Sequence, residues 1–191
     1  MSHAMNLAVC GSAADHFKDS ILRKAFLLGK IIAEKGHTLL TGGSGGLPYQ
    51  AVLGCHEAGG KSIGYSAAIN LRQHISYKQP THGFTEFVFI PRNYEYASNK
   101  LVSRKYRNIS LVAAADAVII IGGRIGTMNE FTIAYDLGKP IGILEGTGGI
   151  TNSAIKVLVA EAGKESPAAI LRESDPSILV DKISQIYTNS C

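Results

Sequence analysis

"AVIIIGGRIGTMNE", Ala117 to Glu130, decides how this chain folds. Its first five residues are apolar without alternation, the mark of a strand buried on both faces. Gly122, Gly123 and Gly126 then make a tight turn, and the residues beyond it lead into a helix. Strand, glycine turn and helix in that order are the repeating unit of a parallel sheet covered by helices.

The same unit recurs on either side. "LAVC" at Leu7 to Cys10 reads as a first strand ending at Gly11-Ser12. Ile21, Leu22, Ala25, Leu28, Ile31 and Ile32 follow at helical spacing between Lys18 and Lys35, and Gly36 caps that helix. "HTLLT" is a second strand, running into Gly42-Gly43-Ser44-Gly45-Gly46, and the next helix carries Ala51, Val52, Cys55 and Ala58. "KSIGY", "EFVFI", "PIGIL" and "AAIL" are further strands. Ser98 opens a helix through Ala114 with Leu101, Val102, Leu111 and Val112 inward, and Ser174-Asp175-Pro176 starts the last one. Periodicity fails from Ser66 to His82, and 66–98 reads as an insertion. The expectation is one doubly wound α/β domain over residues 5–191, its mostly parallel sheet flanked by helices.

Composition agrees with a globular chain: 191 residues, 46% hydrophobic and 18% charged. The net charge of +4 suits an anionic small ligand, and no Lys/Arg run marks a nucleic-acid stripe. Arg104, Lys105 and Arg107 do cluster, as a solvated helix face or as a cationic site. Cys10, Cys55 and Cys191 show no metal-ligand spacing and cannot all pair, which points to a reducing, cytoplasmic setting. No run is long enough to span a membrane, and the start lacks a signal-peptide core. Met1 to Ala4 read as a vector-derived remnant.

Ligands of such sheets bind beyond the carboxyl ends of the strands, where glycine turns lead into helix starts. Four turns gather at that edge: Gly11-Ser12-Ala13, Gly42 to Gly46, Gly122 to Thr127 and Gly146 to Gly149. Together they predict an anion site. "GCHEAGGKS" fails as a P-loop, because an extra glycine precedes Lys61 and a strand follows. The dinucleotide fingerprint also fails: the first turn lacks G-x-G-x-x-G, and the second strand ends at Thr41 without a carboxylate. The histidines are scattered, no metal constellation appears, and no nucleophile elbow supports a serine triad. Thr127 and Glu130 have capping-box spacing, so Glu130 either reaches back to its helix start or faces the cleft. Arg124 is a solvated loop residue or a phosphate contact, and Arg107 a surface ion-pair residue or part of the site.

Taken together, these segments resemble the LOG ("Lonely Guy") family and its wider Rossmann-like superfamily. The resemblance rests on Gly42-Gly43-Ser44-Gly45-Gly46-Leu47, on Gly122-Gly123-Arg124-Ile125-Gly126-Thr127-Met128-Asn129-Glu130, and on Arg107 one helix earlier. It covers roughly Leu7 to Leu144. It implies a Rossmann-like homodimer and a phosphoribohydrolase that releases free base and ribose 5-phosphate from nucleoside 5′-monophosphates. Arg107 and Glu130 take the catalytic positions. Gly11, Ser12, Gly42, Gly43, Ser44, Gly45, Gly46, Gly122, Gly123, Arg124, Gly126 and Thr127 take the phosphate or nucleotide, with no cofactor and no metal. Three positions depart from the LOG pattern: Ile121 replaces a proline, Asn108 a lysine and Asn129 a second glutamate. With Arg92, Tyr94 and Tyr96, these resemble a looser group that includes molybdenum-cofactor carriers. A nucleotide or cofactor carrier that does not cut is therefore the alternative, and a DNA-handling relative the least favoured.

Overall fold

The five residues of β5 (Ala117–Ile121) are all fully buried, and the sheet is built outward from them. On one side β5 pairs with β1 (Asn6–Gly11), which pairs with β2 (Thr38–Thr41), β3 (Ser62–Tyr65) and β4 (Glu86–Val88) in turn. On the other side lie β6 (Ile141–Leu144) and β7 (Ile170–Glu173). The order is β4-β3-β2-β1-β5-β6-β7 and every pairing is parallel, so the sheet is wholly parallel. This computed structural model describes residues 4–13 and 16–190. Met1 to His3 of the expected remnant, and Cys191, lie outside the described residues.

Side-chain alternation sorts the strands onto two cores. Leu7, Val9, Ala117, Ile119 and Ile121 face α1 (Asp19–Glu34), α2 (Leu47–Glu57) and α7 (Pro176–Ser190), meeting Leu28, Ile32, Val52 and Leu179. Ala8, Cys10, Val118 and Ile120 face α4 (Lys100–Ala114), α5 (Ile125–Asp136) and α6 (Ala154–Ala162), meeting Leu111, Val112, Phe131 and Ile155. Each fully buried Leu or Ile contributes about 1.5–3 kcal/mol, so two such layers hold β1 and β5 rigidly side by side. Strand order reverses between them, and their carboxyl ends leave a crevice at the switch point.

Several boundaries differ from the sequence expectation. The fourth strand stops at Val88, and the seventh runs Ile170–Glu173. The fourth long helix starts at Lys100 because Asn99, not Ser98, caps it, its Oδ1 accepting from the amides of Leu101 (3.1 Å) and Val102 (3.2 Å). Leu101 is exposed instead of inward. The 66–98 segment contains an unexpected short helix, α3 (Leu71–Ser76). Asn70 caps it, accepting from the Gln73 amide at 2.9 Å, and Gln73 Oε1 accepts from the Ile69 amide at 2.8 Å. Lys35 and Gly36 end α1 as expected, Gly36 taking φ 75°.

Candidate functional site

The carboxyl ends of β1 and β2, the start of α5 and one face of α4 enclose a cleft of about 790 Å³. Gly11, Ser12 and Ala13 line it after β1, Gly42 to Gly45 after β2, and Arg124, Gly126 and Thr127 at the start of α5. Backbone close to the ligand space, with a helix start beside it, favours an anion.

Two glycines make this geometry possible. A Cβ on Gly42 would collide with Arg107 Nη1, so glycine here lets that guanidinium reach the loop. There Arg107 Nη1 donates to the Gly42 carbonyl. Gly46, at φ 78°, has no room for a side chain against the Ser12 carbonyl, which accepts from the Leu47 amide at 2.9 Å. That contact ties the first loop to the second, and Gly46 itself lies behind the lining.

Glu130 and Arg107 both line the cleft beyond the end of β1. Glu130 is 7% exposed and lines the cleft. It hydrogen-bonds the Cys10 thiol, and Arg107 stands close enough to act on its charge. Burial raises the proton affinity of Glu130, while Arg107 and Cys10 oppose the rise. Cys10 is pushed well above the ordinary thiol range, first by burial and then by Glu130. It is a neutral donor here, not a nucleophile. Burial works against the charge of Arg107, with Glu130 compensating. Its Nε is buried without a hydrogen-bond partner. Next along α4, Asn108 donates through Nδ2 to Asn129 Oδ1 at 3.0 Å.

Charge is lopsided around this pair. Lys78, Lys100, Arg104, Lys105, Arg107 and Arg124 line the cleft, and among the described residues Glu130 is the one carboxylate that does. The far wall comes from the 66–80 segment. His74 Nε2 faces the Pro80 carbonyl at 3.0 Å, which can only accept, so Nε2 carries the proton. Nδ1 therefore accepts from Ser66 Oγ at 2.8 Å, and Ser66 Oγ in turn accepts from the Ala68 amide at 3.0 Å.

Several alternatives left open by the sequence now close. α5 begins at Ile125 with Arg124 at its cap position and no side-chain cap, so Thr127 lies inside the helix and no Thr127–Glu130 capping box forms. Glu130 faces the cleft. The Arg104–Arg107 cluster lines the cleft, as does the exposed Arg124. Gly122 and Gly123 lie buried behind the lining, braced by the fourth turn: Thr147 Oγ1 accepts from the Gly122 amide at 2.8 Å, and Ile150 N donates to the Gly123 carbonyl at 3.1 Å. Gly146 to Gly149 thus support the site without lining it. Sequence reading missed Cys10 as the partner of Glu130, the Ser66–His74 pair, and Tyr77, Lys78 and Lys100. The paired Asn70 and Gln73, at capping-box spacing, were the one local signal for that wall.

The sequence profile of the SLOG cluster4 family matches residues 4–180. The chain belongs to that family. Within this SLOG cluster4 setting, an uncharacterized protein of Archaeoglobus fulgidus is 31% identical over 141 residues, 74% of this chain and 80% of that one. The structural-genomics target TM1055 superposes with a TM-score of 0.76 at 26% identity, over 95% of this chain and 99% of the target. The molybdenum cofactor binding protein of Rippkaea orientalis gives 0.73 at 22% identity, over 97% and 99%, a likeness of fold. The SLOG cluster4 chain therefore stands among the LOG-like Rossmann proteins and shares its fold with the molybdenum cofactor binding protein. Among its described residues no helix is long and apolar enough to cross a membrane.

Proposed function

We propose that the cleft binds a phosphorylated heteroaromatic small molecule and that its preferred class is a nucleoside 5′-monophosphate, which the protein hydrolyses at the N-glycosidic bond. The observation that carries this reading is six basic side chains and three glycine-rich loop ends gathered around a single buried carboxylate. The phosphate lies against the loops after β1 and β2 and the start of α5, within reach of Arg124. Glu130 faces the sugar. As the C1′–N bond breaks, positive charge develops at C1′, and an ionised carboxylate stabilises it and takes a proton from the incoming water. The base leaves with its bonding pair and a proton, and ribose 5-phosphate remains. Arg107, anchored on the Gly42 carbonyl, orients the substrate and favours the ionised form of Glu130 against the effect of its burial.

A second reading, carriage of an intact phosphorylated ligand such as a molybdenum-cofactor-type pterin, is favoured by two observations: burial favours the protonated form of Glu130, and Asn129 supplies no second carboxylate. Chromatography of a nucleoside 5′-monophosphate panel separates the two. Hydrolysis predicts free base from the wild type and at least a hundredfold less from Glu130→Gln. Equal trace release by both proteins, with the ligand recovered intact, leaves the carrier reading standing.

A further inference from the structure

The proposed function leaves open what receives the ring of a heteroaromatic ligand. Of the side chains lining the cleft among the described residues, Tyr77 is the one with a benzenoid ring. It sits at the end of α3, on the wall built from the 66–80 segment. Lys100 reaches across from the first turn of α4, and its Nζ stands 4.0 Å from the centre of the Tyr77 ring. One face of the ring is thus covered by a cation carried on a flexible side chain.

The wall beneath Tyr77 is fixed. His74, 1% exposed, is held at both ring nitrogens and packs against Phe87 in a tilted arrangement with centroids 4.7 Å apart. The chain then turns at Lys78, the one non-glycine residue with positive φ (57°) among the described residues. A lysine in that conformation is strained, and such strain persists where surrounding contacts hold it in place. Here it lets the chain reverse after Tyr77 into Gln79 and Pro80 while keeping all four on the cleft.

We infer that Tyr77 is the stacking platform for the ligand's heteroaromatic ring, with Lys100 as its displaceable cover. A planar ring slides onto the tyrosine face, and Lys100 moves from the ring to the ligand's negative charge. Stacking tolerates any flat heterocycle, so the platform takes a nucleobase or a pterin alike. This inference rests on the proposed binding of a phosphorylated ring compound in the same cleft.

Calorimetric titration tests it in a Glu130→Gln background, where nucleotides stay intact. The probes are adenosine 5′-monophosphate, a pterin monophosphate and ribose 5-phosphate. Tyr77→Ala is expected to weaken at least one ring-bearing ligand by about tenfold or more, and ribose 5-phosphate by less than about twofold. Tyr77→Phe should match the parent for all three. Retained ribose 5-phosphate binding by Tyr77→Ala shows that the cleft is still folded. An equal loss for ribose 5-phosphate and the ring compounds, or no loss for any, overturns the platform. Failure of all three to bind the parent overturns the reading of the cleft, and the platform with it.

Discussion

Asn108 donates to Asn129 across the gap between α4 and α5, 3.0 Å from Nδ2 to Oδ1. These are the two positions where the LOG pattern carries a lysine and a glutamate, so two scattered departures in sequence are one contact in space. In this chain the two positions form a neutral amide pair. With a glutamate at 129, a second negative charge would stand next to Glu130; with asparagine, Arg107 is the nearer charge acting on it.

The amide pair is half satisfied, since Asn108 Oδ1 is buried without a partner. Asn129→Ala then strips the other end of Asn108 as well, at a cost of about 1–3 kcal/mol. Urea unfolding of both alanine variants and the double variant should show a coupling of at least about 0.5 kcal/mol. Strict additivity would mean the contact does not form in solution.

Gly42 and Arg107 form a second dependent pair. Gly42→Ala places a methyl group where Nη1 of Arg107 lies, so the guanidinium must leave the loop. Loss of a charge-assisted contact predicts about tenfold weaker binding of a nucleoside 5′-monophosphate. Arg107→Ala should lose a similar amount, and the double variant no more than either alone. Additive losses would contradict the coupling.

Glu130 gives a pH signature. Burial raises its proton affinity above that of an unfolded glutamate. Between the two pKa values the folded chain holds a proton that the unfolded chain has released, so stability falls as pH rises through that window. The contribution is complete below the unfolded carboxylate value of about 4.3 and is gone once pH passes the raised folded value. Glu130→Gln cannot ionise. It should therefore gain on the wild type as pH rises from acid toward neutrality, read from urea midpoints. A stability difference that does not change with pH would contradict the buried carboxylate.

Strands were legible in the sequence because β1 and β5 are buried on both faces and carry unbroken apolar runs. The loop ends were legible because glycine is needed there for close approach, as Gly42 shows. Two features misled. Thr127 and Glu130 imitate a capping box, but Gly122 and Gly123 at φ 59° and 98° turn the chain so that the helix starts three residues earlier. α3 was hidden because it is only six residues long, too short for its apolar pair, Leu71 and Ile75, to establish a period. Contacts such as Cys10 with Glu130 join residues far apart in sequence, and only the sheet order brings them together.

The central claim is that six cations and three glycine-rich loop ends make a phosphate site. Calorimetric titration with a nucleoside 5′-monophosphate and with the matching nucleoside, at low and at high salt, tests it most directly. The account predicts one-to-one binding of the monophosphate, weakening as salt rises, and at least about a hundredfold weaker binding of the nucleoside. Equal affinity for the two, or binding indifferent to salt, would contradict it.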